Sequence, residues 1–356
     1  MTKVHNFSAG PGILPQEVLQ QAANACINFD NLNLSLLEIS HRSKNFEAVM
    51  NNSRQLVKEL LHLDDDFEVI FLGGGASLQF AMVPYNLLRT DGKAGYVNTG
   101  VWASKAIKEA KIIGNTVVVA SSEDQKFSFV PKNYEIPSDL DYLHITSNNT
   151  IYGTQMKTFP KTNVPLVCDM SSDIFSREVN GNDFSLIYAG AQKNMGPAGA
   201  TMVAVRKSAL GKTGRKMLSM LDYQVHIKGD SMYNTPPVFP IYVSMLTMEW
   251  LKNNGGIAHI EKVNNQKAAL LYAEIDRNPL FKGTTAVEDR SNMNVTFVMH
   301  DATLEPEFDK LTKEANLSGL RGHRDVGGYR ASLYNALPLE SVQVLVEVMQ
   351  QFEKNK

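Results

Sequence analysis

Val164-Pro165-Leu166-Val167-Cys168-Asp169 and Phe184-Ser185-Leu186-Ile187-Tyr188, the latter leading through Ala189-Gly190-Ala191-Gln192 to Lys193, are the stretches whose reading decides the fold. Each is a short apolar run. One closes on Asp169, the other on a string of small residues ahead of Lys193. Short runs of this kind, bounded by turn residues, read as strands buried on both faces of a parallel sheet. The same pattern recurs upstream. Val69-Ile70-Phe71-Leu72 ends in Gly73-Gly74-Gly75, and Ala94-Gly95-Tyr96-Val97 ends in Asn98-Thr99-Gly100. Thr116-Val117-Val118-Val119-Ala120 and Tyr142-Leu143-His144-Ile145-Thr146 read as further buried strands. Helix-compatible stretches run from Gln16 to Cys26, from Ser77 onward and from Trp102 to Ile113. Phe46, Val49, Met50, Ser53, Leu56 and Leu60 fall at helical spacing and mark an amphipathic helix over 46–61. Strands alternating with helices give an α/β domain with a mostly parallel sheet. Such sheets bind ligands at the carboxyl ends of their strands, where these polar residues fall.

Past Trp250 the pattern changes. A helix from Ile257 to Ile275 precedes a strand in which Met293, Val295, Phe297 and Met299 alternate with polar residues. A strand over 330–334 and a final helix with Val342, Leu345, Val346 and Met349 on one face complete the chain. This predicts a smaller α+β unit with one solvated sheet face. The 356 residues carry 35 Lys+Arg against 37 Asp+Glu, a formal charge of −2, which offers no general attraction for nucleic acid or an anionic membrane. No apolar run is long enough to span a bilayer, and the first residues lack the apolar core of a secretory signal. Cys26 and Cys168 make neither a disulfide framework nor a zinc ligand set, so no metal is expected. Together these features point to a soluble, cytoplasmic protein.

Three strand ends carry candidate chemistry. Gly73-Gly74-Gly75-Ala76-Ser77 follows a strand and opens a helix, so its backbone N–H groups and the helix dipole can receive a phosphate. It lacks the Gly-Lys-Ser/Thr of a nucleotide P-loop and the spacing of a dinucleotide fingerprint, and a plain tight turn explains the glycines equally well. Asp169 is either a helix cap or a carboxylate holding a cation in a dry cleft. Lys193 is either a lysine at a turn or an amine with room above it for something flat. Taken together, a phosphate cradle, a buried carboxylate and a lysine at successive strand ends match the needs of pyridoxal 5′-phosphate: a phosphate anchor, an acidic partner for the pyridine nitrogen and a lysine for the Schiff base. Trp102, at another strand end, can stack on the pyridine face or simply pack in the core. A second set of cationic residues, His41-Arg42, His323-Arg324 and Arg330, lies in turn-rich surroundings and suits an anionic substrate.

Phe7-Ser8-Ala9-Gly10-Pro11, Gly73-Gly74-Gly75-Ala76-Ser77-Leu78-Gln79-Phe80, Ala191-Gln192-Lys193-Asn194-Met195-Gly196-Pro197-Ala198-Gly199 and Gly322-His323-Arg324 through Arg330-Ala331-Ser332 occur in an order that resembles the phosphoserine aminotransferase family across essentially the whole chain. Some members carry an arginine just after the triple glycine, where this chain has Ala76-Ser77. The resemblance implies fold type I architecture, with a large cofactor domain over 16–250 and a small domain formed by 251–356 with residues 1–15. It implies Lys193 in the Schiff base, Asp169 on the pyridine nitrogen, Trp102 over the ring and Thr150 near the 3′-oxygen. Ala76, Ser77 and Gln192 would hold the phosphate, joined by Asn234 and Thr235 from the other subunit of a homodimer. Arg330 would take the substrate α-carboxylate, and His41, Arg42, His323 and Arg324 the distal anion. The implied reaction moves an amino group between L-glutamate and 3-phosphohydroxypyruvate in serine biosynthesis. Some members also use 3-hydroxy-2-oxo-4-phosphobutanoate in pyridoxine biosynthesis. Other fold type I enzymes, such as an alanine–glyoxylate type aminotransferase or a cysteine desulfurase, and a non-catalytic anion sensor, are the alternatives.

Overall fold

The computed structural model describes residues 3–324 and 326–356; Met1, Thr2 and Asp325, the last inside the Gly322–Arg330 run, lie outside the described residues. Seven strands form the central sheet: β1 (Phe67–Leu72), β2 (Ala94–Asn98), β3 (Thr116–Ser121), β4 (Tyr142–Thr146), β5 (Leu166–Asp169), β6 (Leu186–Gly190) and β7 (Thr201–Arg206). Their spatial order is β1-β7-β6-β5-β4-β2-β3. Only β7 runs against its neighbours, β1 and β6; the other pairings are parallel. Six strands therefore deliver their carboxyl ends to one edge.

The helices are α1 (Gln16–Ile27), α2 (Lys44–Leu60), α3 (Gly75–Leu87), α4 (Val101–Ile113), α5 (Tyr223–Lys228), α6 (Val238–Asn253), α7 (Gly256–Arg277), α8 (Glu305–Glu314) and α9 (Leu339–Lys354). On one face of the sheet, α3 and α4 pack Phe80, Val83 and Ile107 onto Ile70, Tyr96 and Tyr188. On the other face, α1, α2 and α6 pack against Val69, Phe71, Ile145 and Ile187. The α2 stripe read from the sequence is buried as expected, and the helix begins earlier than the apolar spacing indicates because Ser43 caps it, its side chain accepting from the Phe46 N–H.

Four expectations need correction. The strands expected at 164–168 and 184–188 begin and end later, so Asp169 and Gly190 belong to the ladder instead of following it. Pro165 has no N–H to donate, and Phe184 closes a 3₁₀ turn over Gly181–Asp183. The strand expected at 330–334 runs Tyr329–Ser332. β3, expected to be buried, is an edge strand paired only with β2, and Val118 is exposed. Lastly, the sheet β8 (Phe281–Gly283), β9 (Asn294–Met299) and β10 (Tyr329–Ser332) has no solvated face at β9. Asn294 and Thr296, the polar members of the alternation, are buried: Asn148 Nδ2 donates to Asn294 Oδ1 (2.7 Å), and the Thr296 hydroxyl donates to Tyr152 O (3.2 Å). Polar alternation reports the chemistry of a face, and a satisfied polar face can dock. The opposite face of this sheet builds a separate core with Phe7, Leu271, Phe308, Leu345 and Phe352.

Candidate active site

The carboxyl edge of the sheet collects the site from connections that leave successive strands. After β1, Gly74 (φ 88°) and Gly75 (φ 63°) take the left-handed conformation that glycine adopts without penalty and turn the chain into α3. The first helical N–H bond inside α3 is made by Leu78 to Gly74 O, leaving the N–H groups of Gly75, Ala76 and Ser77 at the open end. No acidic residue occupies that first turn, and a Cβ placed on Gly73 or Gly75 would meet nothing within 4 Å. The space before the helix is open and electropositive, as a phosphate requires.

After β2, Gly100 leads into α4, whose second residue is Trp102. A Cβ at Gly100 would lie 2.7 Å from Asn149 Oδ1, so this close approach requires glycine. The Trp102 indole N–H donates to the Thr150 hydroxyl at 3.0 Å, leaving that hydroxyl's proton free to donate elsewhere. The Thr150 carbonyl in turn accepts from an Arg330 Nη at 3.2 Å. Among the described residues the Arg330 Nε is buried with no partner, and no carboxylate pairs with this half-buried guanidinium.

Asp169 ends β5 and is 5% exposed. Its Oδ1 accepts from the Ser171 N–H (2.9 Å) and hydroxyl (2.6 Å); among the described residues Oδ2 accepts nothing. Burial pushes this carboxyl up, while Lys193 and Ser171 oppose the shift. A cation set against Oδ2 would reverse it. Lys193 follows β6, its Nζ 4.8 Å from the centroid of the Trp102 ring. That amine makes no hydrogen bond among the described residues. Desolvation lowers its pKa, Asp169 opposes and the Arg330 charge adds to the lowering. These features fit pyridoxal phosphate: an open anion cradle, a carboxylate oxygen without a donor, a free hydroxyl proton and an unbonded, desolvated amine converge on one edge.

Several supporting residues were not read from the sequence. Ser171 is one, although Asp169-Met170-Ser171 has the spacing of a side chain–backbone turn that could have revealed it. The segment Ala9–Gly12 is another. The Gly12 N–H donates to Gln192 O (2.7 Å), Tyr334 donates to Ala9 O (2.6 Å), and a Cβ on Gly12 would lie 2.7 Å from Lys193 O. The N-terminal strap thus lies directly on the lysine loop. Behind Asp169, the buried Asp173 meets Ser147 and accepts from Gln155 Nε2 at 3.2 Å.

The remaining expected residues are not all brought to this cluster. His41 and Arg42 lie in the turn before α2, and among the described residues no hydrogen bond or ion pair joins them to Lys193, Asp169 or Arg330; the His41 Nε2 is buried without a partner. Asn234 and Thr235 are exposed, and Asn234 lines a cavity of about 140 Å³ with Gly73 and Leu78. His323 and Arg324 sit in the turn that Gly322 closes with a hydrogen bond to Gly328 O (2.8 Å), ahead of the strand carrying Arg330. Gln192 flanks Lys193, and its side chain folds over Gly190. Cys168 packs into the core on the sheet face away from Asp169, where burial pushes its thiol up. Among the described residues no group of three or more His, Cys, Asp and Glu could hold a metal.

Comparison with known proteins identifies the family to which the whole chain belongs. Residues 4–345 match the aminotransferase class-V family. The chain is 64% identical to the phosphoserine aminotransferase of Flavobacterium psychrophilum, covering 99% of each, and 54% identical to that of Bacteroides fragilis, again covering 99% of each. It superposes on the phosphoserine aminotransferase of Bacillus circulans subsp. alkalophilus with a TM-score of 0.96 at 44% identity, covering 99% of both chains. It also superposes on the pyridoxal-phosphate-bound phosphoserine aminotransferase of Trichomonas vaginalis with a TM-score of 0.93 at 34% identity, covering 98% of this chain and all of that one.

Proposed function

Because the chain belongs to the class-V aminotransferases, we infer that it transfers an amino group between L-glutamate and 3-phosphohydroxypyruvate, giving O-phospho-L-serine and 2-oxoglutarate. It is a pyridoxal-phosphate-dependent transaminase. The observation that carries the reading is the pairing of an unbonded, desolvated Lys193 amine with a buried Asp169 and an Arg330 guanidinium that no carboxylate pairs with among the described residues.

When bound, pyridoxal phosphate supplies the electron sink for the reaction. In this reading the N–H groups of Gly75, Ala76 and Ser77 hold its phosphate, with Gln192 alongside. Asp169 would hold a proton on the pyridine nitrogen, the Trp102 ring would pack against the cofactor, and the Thr150 hydroxyl would donate to the 3′-oxygen. Lys193, as a neutral amine, would take and return the proton at the substrate Cα. Arg330 grips the α-carboxylate that both substrates share, which fixes Cα near Lys193.

The same reading makes the chain a homodimer with shared sites. Asn234 and Thr235 would complete the phosphate site of the other subunit, and His41 and Arg42 would join His323 and Arg324 at the distal anion. Two observations support it: their own chain does not bring His41 and Arg42 to Lys193, and Leu218, Met220 and Tyr233, near Asn234, expose apolar surface. The large domain would span 16–250 and the small one 251–356 with 1–15. We place the enzyme in the cytoplasm, where two free cysteines suit a reducing compartment; no helix among the described residues is long and apolar enough to cross a membrane. The test is spectroscopic: glutamate should bleach the colour of the Lys193-linked cofactor, and 3-phosphohydroxypyruvate should restore it with release of O-phospho-L-serine. A spectrum unmoved by glutamate would overturn the assignment.

A further inference from the structure

Lys267, on α7, is fully buried, yet none of the ion pairs among the described residues includes it. Its Nζ instead donates to three main-chain carbonyls, those of Leu333 (2.9 Å), Tyr334 (2.9 Å) and Leu337 (3.1 Å). Three donors on one ammonium meet three acceptors, so the group is saturated. Burial pulls this ammonium down to about 7, and the three carbonyl oxygens act in the opposite direction by bonding the charged form.

The turn it grips leaves β10 and touches the catalytic loops on every side. The Asn335 N–H donates to Asn194 Oδ1 at 2.9 Å, beside Lys193, and Asn335 Nδ2 donates to Phe175 O at 2.9 Å. The Tyr334 hydroxyl holds the N-terminal strap at Ala9. Asn264, one helical turn from Lys267, donates to Asn335 Oδ1 at 2.9 Å. Arg330 lies in the strand that runs directly into this turn. All four residues of that strand pair with β9, Arg330 opposite Thr296, and its carboxyl end passes straight into the turn that Lys267 holds.

We propose that Lys267 is a positioning residue: by pinning the 333–337 turn it sets the reach of Arg330 toward Lys193 and so the placement of the substrate α-carboxylate. The proposal rests on the assignment of Arg330 to that carboxylate. Without the ammonium, the carbonyls of Leu333 and Leu337 lose its hydrogen bond and Tyr334 O keeps the Leu337 N–H alone, so the turn must repack. Neither Lys193 nor Asp169 contacts Lys267, so cofactor binding should be spared.

The holoenzymes of Lys267→Met, Lys267→Gln and Arg330→Lys decide it, each compared with wild type by half-reaction kinetics and by the absorption spectrum of the bound cofactor. Lys267→Met should raise KM for L-glutamate and for 3-phosphohydroxypyruvate in parallel, on the order of tenfold, with a smaller change in kcat and an unchanged cofactor spectrum. Lys267→Gln, which keeps two donors without charge, should recover part of the loss. If Lys267→Met does not fold, a KM rise in Lys267→Gln, joined by a smaller one in Tyr334→Phe, carries the same test. Raised KM in Arg330→Lys with unaltered KM in the Lys267 variants, even at lowered melting temperature, would overturn the positioning role alone. Unaltered KM in Arg330→Lys would overturn both that role and the Arg330 assignment.

Discussion

Lys193 and Lys267 are both desolvated lysines, and what surrounds each decides what it can do. Lys193, on the loop after β6, has its Nζ over an indole ring with no hydrogen bond among the described residues. Lys267, on α7, has its Nζ in three carbonyl bonds. Burial lowers both amines. The difference lies in the acceptors. A lysine saturated by main-chain oxygens has no lone pair to offer while it remains an ammonium, and it serves as a fastener. A lysine left without a hydrogen-bond acceptor among the described residues can lose its proton and attack. Burial alone therefore does not identify a catalytic lysine; unmet hydrogen-bonding capacity does.

The largest expected effect breaks the symmetry outright. Lys193→Ala should abolish turnover and remove the covalent, borohydride-reducible attachment of the cofactor. Lys267→Met should keep that attachment in full. Peptide mapping of the reduced protein checks both, and label on any lysine other than Lys193 would end the contrast. Next in size is Asp169→Asn. The amide cannot hold a proton on the pyridine nitrogen by charge, so both half-reactions should slow by roughly two or more powers of ten while the fold persists. Near wild-type half-reaction rates in a stopped-flow measurement would move that role to another residue.

How far this contrast was legible in the sequence differs between the two sites. Lys193 stood out because small residues flank it and an apolar strand precedes it. Asp169 was readable as a lone polar residue at the end of another such strand. Lys267 was not readable. It sits among Asn264, Ala268 and Leu271 in a helix, where a lysine ordinarily faces water, and its partners are backbone carbonyls that no side-chain pattern encodes. The buried polar face of β9 was misread for the same reason, since the partners that satisfy Asn294 and Thr296 come from a loop far away in sequence. α6 was passed over because it is apolar nearly all round, with Ile241, Val243, Met245, Leu246 and Met248 buried, and shows no single stripe. β7 was missed because nothing in its own run announces an antiparallel strand within a parallel sheet.

A smaller effect separates the two cationic positions near the substrate. Arg330 is assigned to the α-carboxylate that glutamate and the phosphorylated partner share, so Arg330→Ala should lower kcat/KM for both by similar factors. Arg324 is exposed on the turn ahead of that strand and is assigned to the distal group. A phosphate offers more charge and more acceptor oxygens than a carboxylate. Arg324→Ala should hence cost the phosphorylated substrate more, by about threefold to tenfold beyond the loss with glutamate. Equal losses with both substrates would remove Arg324 from the distal site.

The smallest expected effect concerns the proton on Lys193 itself, and it sharpens the comparison without relying on turnover. Cofactor-free protein captures pyridoxal phosphate through the neutral amine, so the pH dependence of the capture rate reports the Lys193 pKa. Neighbouring charges act on that amine with opposite sign: Asp169, and Asp173 behind it, favour the ammonium, and Arg330 disfavours it. Removing the arginine charge in Arg330→Met should raise the Lys193 pKa and move the capture midpoint to higher pH. Removing the carboxylate charge in Asp169→Asn should move it to lower pH. Each displacement should be on the order of one pH unit or less, because charges near a solvent-accessible cleft interact through a high effective dielectric. Lys267 is not among the charges that act on Lys193, so Lys267→Met should move the midpoint only through a displaced Arg330, upward and by less than Arg330→Met does. Displacements of the same sign in Arg330→Met and Asp169→Asn would show that the two side chains act on Lys193 through packing and not through charge. A midpoint that moved downward in Lys267→Met, or further than in Arg330→Met, would show that the fastener and the reactive amine are not separable.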